Sequence, residues 1–195
     1  MKNKKHIFFD FDGVLVNSEP FYLGFWKKEL SILNIEFEGF DLIGKTNDQF
    51  LDLFNLDNYD KKILIEKKII AEKLFFENKK ISSEILYFLE SKKNQYNYSI
   101  VSNNSLLSIN SFLSYNNCEF YFDLIIHREL GYLPKPYPDS FIAAVQTLNI
   151  AKDQVIVIED SLIGCEAAKS AGLNYILVDH REIENSILNK LIISY

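Results

Sequence analysis

The chain has 195 residues, is 48% hydrophobic, and carries 21 basic against 27 acidic side chains for a net charge of −6. That apolar share is ample for a buried core, while the negative balance excludes a general attraction to nucleic acid or to an anionic membrane surface. Two cysteines, Cys118 and Cys165, show no metal-ligand spacing and fit buried thiols in a reducing compartment. The basic start from Lys2 to Lys5 leaves only a short apolar stretch before Asp10, and no uncharged apolar run of spanning length follows, so a cytoplasmic, monomeric protein is expected.

The first element is a short apolar strand over residues 6 to 9, ending at Asp10. From Ser18 to about Asn78 the spacing is helical throughout. Ser18 can cap a helix with Pro20 in its first turn and Phe21, Phe25, Trp26, Leu30 and Leu33 at helical intervals. A shorter helix is expected over Asp48 to Phe54, and a longer one over Lys61 to Phe76 with Ile63, Ile70 and Leu74 as its apolar positions. After Ser82 the texture alternates. Helices at 83–91, 105–115 and 139–148 precede the apolar strands 98–101, 122–126 and 155–158, and a helix from Ser161 stops at Gly172 ahead of a strand at 175–178. A final helix from about Arg181 is expected to cover the sheet.

Short apolar strands separated by helices mean a buried parallel sheet. The fold expected is α/β: a Rossmann-like parallel sheet with helices on both faces, formed by residues 1–17 and 81–195, and an all-helical insert over 18–80. In such sheets ligands bind at the carboxyl ends of the strands.

Those ends carry distinctive residues. Strand one ends in Asp10-Phe11-Asp12-Gly13, where two carboxyl groups two residues apart can face one cavity and Gly13 lets the backbone turn away. Strand two ends in Ser102-Asn103-Asn104, a hydroxyl followed by the amides of a helix start, which suits a phosphate. Lys135 lies in Lys135-Pro136-Tyr137-Pro138, stiffened by two prolines. The fourth strand ends in Glu159-Asp160-Ser161, with Gly164 keeping the next helix close. An Asp attacking a phosphate dianion meets like-charge repulsion, and several acids in one cleft repel each other. A hard divalent cation such as Mg²⁺ resolves both problems, and Lys135 with the Ser102 hydroxyl would offset charge on the transferring oxygens.

Each feature alone has an ordinary explanation: an Asx turn at Asp12-Gly13, an N-cap at Ser102, a loop lysine at Lys135, a strand-end turn at Glu159-Asp160. Their order along the chain, each at a strand end, argues against coincidence. FFDFDGVLVNSEP at 8–20, IVSNN at 100–104, KPYPDSF at 135–141 and VIVIEDSLIGCEAAKSAGL at 155–173 resemble the haloacid dehalogenase-like superfamily, in the branch with a helical cap after the first motif that includes phosphoglycolate phosphatase, sugar phosphatases and β-phosphoglucomutase.

The resemblance implies a phosphoric monoester hydrolase acting on a small phosphorylated metabolite. Asp10 would be the nucleophile that forms an aspartyl-phosphate, and Asp12 the general acid and then base. Ser102, Asn103 and Lys135 would bind phosphate, with Mg²⁺ on Asp10, the Asp12 carbonyl and Asp160. Glu159 would touch the metal directly or through water, and Tyr22 and Lys45 are candidate cap contacts to substrate. Tyr22 stands where mutase-like relatives typically carry His, and the segment Gly44–Asn47 lacks their usual Arg, which favours hydrolysis over a phosphosugar mutase. A non-catalytic phosphometabolite-binding protein is a further alternative, opposed by the intact Asp10, Asp12, Lys135 and Asp160.

Residues 39–46 also satisfy a P-loop pattern, Gly-Phe-Asp-Leu-Ile-Gly-Lys-Thr. Phe40, Leu42 and Ile43 would crowd the path of an anion and Asp41 would repel it, so a loop between helices is expected there. His6, His127 and His180 form no cluster of metal-ligand spacing. Val14 stands where a calcium loop beginning at Asp10 would need an oxygen ligand.

Overall fold

The computed structural model describes residues 4–39 and 47–179. The expected helix after Arg181, and Lys45 with its P-loop-like segment up to Thr46, lie outside the described residues.

Five apolar segments form one sheet: β1 (Lys5–Phe9), β2 (Tyr96–Val101), β3 (Phe122–Ile126), β4 (Val155–Glu159) and β5 (Asn174–Leu177). Their order is β3-β2-β1-β4-β5, with every neighbouring pair parallel. The central strands are apolar at successive positions because both faces are covered. Ile7 and Phe9 pack with Phe88 and Leu89 of α4 (Ser83–Lys92) and Ile109, Phe112 and Leu113 of α5 (Leu106–Asn116). Phe8, between them, faces the other way and packs with Phe141 and Ala144 of α6 (Asp139–Leu148) and Ala167 and Ala168 of α7 (Leu162–Ser170).

Local chemistry fixes the helix ends. Ser82, Ser105 and Ser161 each accept a backbone N–H three residues on, from Ile85, Ser108 and Gly164, satisfying amides a helix start would leave bare. Asn117 and Asn149, both at φ 50°, end α5 and α6 in the left-handed conformation that closes a helix.

Among the described residues, three helices separate β1 from α4: α1 (Glu19–Ser31), α2 (Asn47–Leu51) and α3 (Asn58–Phe76). Trp26, Leu30, Phe50, Leu51 and Leu64 give them a cluster distinct from the two that cover the sheet. The end of α3 joins the sheet, its Phe76 ring 5.2 Å from that of Phe11. α3 begins before the expected Lys61 because Asp57 caps it, accepting from Asp60 N at 2.8 Å.

The buried face of α3 also differs from expectation. Leu64, Lys68, Glu72 and Phe76, four residues apart, point inward, while Ile70 and Leu74 are 63% and 59% exposed. Lys68 and Glu72 pair with each other one helical turn apart, so two charges occupy positions that hydropathy assigns to solvent.

The chain leaves β1 through the helical segment to reach β2 on one side, and crosses later to β4 on the other. This reversal beside the carboxyl end of β1 opens a crevice in which loops from both halves of the sheet meet.

Candidate active site

Asp10 follows β1 directly, its N–H bonded to the Ile158 carbonyl at 2.9 Å, so the sheet itself fixes its backbone. The chain then turns back through Gly13, at φ +73°, whose N–H bonds to Val16 O at 2.8 Å. A Cβ at Gly13 would lie 1.7 Å from Asp160 Oδ2. The glycine therefore serves two needs, a left-handed turn and room for the carboxylate arriving from β4.

Lys135 is buried beneath these acids, not solvated in its loop. Its Nζ donates to Asp10 Oδ1 at 2.9 Å, to the Val101 carbonyl at 2.7 Å, and to Glu159 Oε1. Burial works to lower the ammonium's pKa, but the charges of Asp10 and Glu159 and the bonds to them outweigh it, and the value is raised. Glu159 is fully buried, with its second oxygen accepting from Ser161 Oγ at 3.3 Å. A Cβ at Gly164 would stand 2.0 Å from the Glu159 carboxyl carbon, which is why glycine occupies the first turn of α7.

Asp12 is held from two sides. The Ser18 hydroxyl donates to Oδ1, and the Asn104 side-chain amide donates to Oδ2 at 2.7 Å. Ser18 precedes α1 as expected, but its side chain makes no capping bond to the helix; the carboxyl of Asp12 takes it instead. Burial, then the charge of Asp10, push Asp12 up to about 6 despite these donors. Asp160 is the exposed member of the group. Lost hydration in the cleft, then Asp10 and Asp12, push its carboxyl up to about 7.

Carboxylate oxygens of Asp10, Glu159 and Asp160 all lie within 4.8 Å of one another. This is a hard-oxygen donor set, and the two elevated acids show a surplus of negative charge that a divalent cation would relieve. The residues present fit a metal ion.

At the end of β2 the structure modifies the sequence reading. Ser102 is buried, its Oγ accepting from Asn104 N at 3.0 Å. The amides of the helix start are engaged by side chains: Ser105 N bonds to Asn104 Oδ1 and Leu106 N to Glu129 Oε2. The Asn103 side-chain oxygen accepts from Lys135 N at 3.1 Å, tying the second loop to the third. Tyr22 lies close to the core acids, its hydroxyl accepting from Asn104 Nδ2 at 3.0 Å. The sequence reading missed the side chain of Asn104, the hydroxyl of Ser18 and the Lys68–Glu72 pair. Only Asn104 carried a signal, as the third residue of the Ser-Asn-Asn run.

The family model described as haloacid dehalogenase-like hydrolase matches residues 7–178. The chain is 28% identical over 185 residues to a phosphorylated carbohydrates phosphatase of Thermotoga maritima, covering 87% of this chain and 82% of that protein. It is 20% identical over 174 residues to a fructose-1-phosphate phosphatase of Escherichia coli, covering 86% and 93%. Among solved structures, CbbY from Rhodobacter sphaeroides in complex with phosphate superposes with a TM-score of 0.77 at 19% identity, over 90% of this chain and 86% of that one, a likeness of fold.

Proposed function

The chain belongs to the haloacid dehalogenase-like hydrolases, and from that premise we propose that it is a Mg²⁺-dependent phosphatase of a small phosphomonoester, a sugar phosphate or a phosphoglycolate-like molecule, working through an aspartyl-phosphate on Asp10. The observation that carries this reading is the Lys135 ammonium, which reaches Asp10 and Glu159 together while Asp160 completes a triad of oxygens within 4.8 Å. A carboxylate held against a buried cation, beside a place for a second one, is an anion prepared to meet another anion. The relatives named for phosphorylated carbohydrates and fructose-1-phosphate support a sugar phosphate as substrate.

In this mechanism an Asp10 oxygen attacks phosphorus, and the ester P–O bond breaks as Asp12 delivers a proton to the departing oxygen. Asp12 then takes a proton from water as it attacks the same phosphorus, releasing phosphate and restoring Asp10. Lys135, by exchanging one of the three bonds its ammonium makes, and the Ser102 hydroxyl would hold the phosphoryl oxygens, with Asn103 fixing the backbone of Lys135. Asp10, the Asp12 carbonyl and Asp160 would hold Mg²⁺, with Glu159 behind them. When bound there, such an ion would neutralise phosphoryl charge and orient the ester. Residues 18–80 act as a cap on a core of 1–17 and 81–195, excluding bulk water, with Tyr22 and Lys45 as its candidate contacts to substrate.

The test is release of inorganic phosphate from a panel of sugar, glycerol and carboxylate phosphates, with Mg²⁺ and with chelator. Activity is expected only with the metal, and Asp10→Asn should abolish it while leaving the far-UV spectrum unchanged. Undiminished turnover by that variant would refute the assigned chemistry.

A further inference from the structure

A run of buried polar side chains connects the helical segment to Asp12. Asn104 is 5% exposed, and its whole amide is engaged. Oδ1 accepts from Ser105 N at 2.7 Å, while Nδ2 donates to Asp12 Oδ2 at 2.7 Å and to Tyr22 Oη at 3.0 Å. Two N–H groups thus serve two acceptors, one in the core and one on α1, so the amide cannot turn without breaking both.

Tyr22 passes the connection on. Because its oxygen accepts from Asn104, its own proton is left for an acceptor on α3, where Glu72 is paired with a lysine that stands against the Tyr22 ring. Glu72 and Lys68 are 3% and 6% exposed and paired, and Lys68 Nζ stands 4.8 Å from the centre of the Tyr22 ring. A buried ion pair contributes little net stability compared with apolar residues of the same size, so its placement beside Tyr22 calls for another reason.

We propose that Asn104 is a positioning residue, through which Tyr22 and the Lys68–Glu72 pair of α3 fix the plane of the Asp12 carboxyl, making proton delivery to the leaving oxygen depend on α3 being packed against the site. This rests on the phosphatase reading above. Ser18 holds the other Asp12 oxygen, and each oxygen keeps a second acceptor site on which the transferable proton sits. When an alkyl ester is cleaved, the P–O electron pair goes to an oxygen that becomes a strongly basic alkoxide unless Asp12 protonates it, giving the alcohol and the Asp12 carboxylate. An acyl phosphate departs as a weakly basic carboxylate and needs no proton. Loosening Asp12 therefore slows the first step, phosphoryl transfer to Asp10, from the alkyl ester and spares it from the acyl phosphate, while hydrolysis of the aspartyl-phosphate, which needs Asp12 as base, slows alike for both; a loss of packing slows the first step for both.

The experiment measures the first-turnover rate of alcohol or acetate release, with protein in excess, from the best alkyl phosphate of the panel and from acetyl phosphate, for the wild-type protein, Asn104→Ala, Tyr22→Phe and Glu72→Gln. For Asn104→Ala, that rate on the alkyl phosphate should fall on the order of 10²-fold, with acetyl phosphate changed by a few-fold at most and the half-saturating concentration little altered. Tyr22→Phe should move the same ratio in the same direction by less, and Glu72→Gln, which keeps an acceptor for the hydroxyl, by least. Equal loss on both substrates, or no loss on either, overturns the proposal. If Asn104→Ala does not fold, the ratio in Tyr22→Phe decides by the same criterion. A wild-type protein inactive on both substrates would overturn the phosphatase reading itself.

Discussion

The two glycines beside the acids show how backbone space sets the site. Gly164 lies in the first turn of α7, where a Cβ would stand 2.0 Å from the Glu159 carboxyl carbon, whereas a Cβ at Gly24 in α1 would meet nothing within 4 Å. Alanine should therefore have opposite effects. Gly164→Ala is expected to lower stability by about 1–3 kcal/mol through overpacking and to reduce phosphate release by displacing Glu159 from Lys135. Gly24→Ala should raise stability by about 0.5–1 kcal/mol, as in an ordinary helix interior. Thermal melts of both variants check this, and equal effects would contradict it. The role of Gly164 was legible in the sequence, since a glycine so soon after an acidic strand end has no purpose except close approach. The bond from Ser18 to Asp12 was not. A serine before a helix reads as its cap, and only the folded turn at Gly13 brings Asp12 back to compete for the hydroxyl.

Among the elements, α3 departs furthest from its sequence pattern. Its inward stripe mixes Leu64 and Phe76 with the Lys68–Glu72 pair, and periodicity cannot distinguish a buried charge from a solvated one until its partner is known. Lys68→Ala leaves the Glu72 carboxylate without its counter-charge in a dry setting and should destabilise by about 3–5 kcal/mol. Replacing both, as Lys68→Met with Glu72→Leu, should cost far less. Urea unfolding followed by circular dichroism measures the difference, and equal losses would show that the pair is not energetically coupled. The strands posed no such difficulty. Phe122–Ile126 and the start of β4 at Val155 fall where their apolar runs predict; β4 is buried at every position and has no polar side to confuse the pattern, and the edge strand β3 departs from its apolar run only at the exposed Asp123.

At the scale of the molecule, the sheet order gathers four acids at one crevice, and the gathering itself opposes folding. Asp160 has an ordinary value of 3.8 and is pushed up to about 7 in the fold, first by lost hydration and then by Asp10 and Asp12. A carboxyl raised in this way favours the native state while protonated, so its contribution is fully present below the ordinary value and is lost as pH rises through about 7. Above that pH and without metal, Asp160→Asn should melt higher than the wild-type protein. With Mg²⁺ the order should narrow or reverse, because an ion binding only the native state at 100 times its Kd adds about 2.7 kcal/mol and the variant has lost a ligand. A Mg²⁺ shift of equal size in both proteins would contradict this. The convergence of Asp10, Glu159 and Asp160 was legible because each closes or directly follows a strand, and a parallel sheet brings such positions to one edge; Lys135 lies in the loop between β3 and α6, and its motif alone marked it. How residues 18–80 meet that edge was not, since Tyr22, Lys68 and Glu72 approach it through helix packing that no motif encodes.

The central claim, that Asp10 takes the phosphoryl group covalently, is tested most directly by rapid acid quench during turnover followed by mass spectrometry of the peptide containing residues 8–13. A mass increase of one phosphoryl group on Asp10, chased by unlabelled substrate and missing from Asp10→Asn, is the expected result. Steady turnover with no phosphorylated peptide at any quench time, or with the phosphoryl group on a different residue, would contradict it.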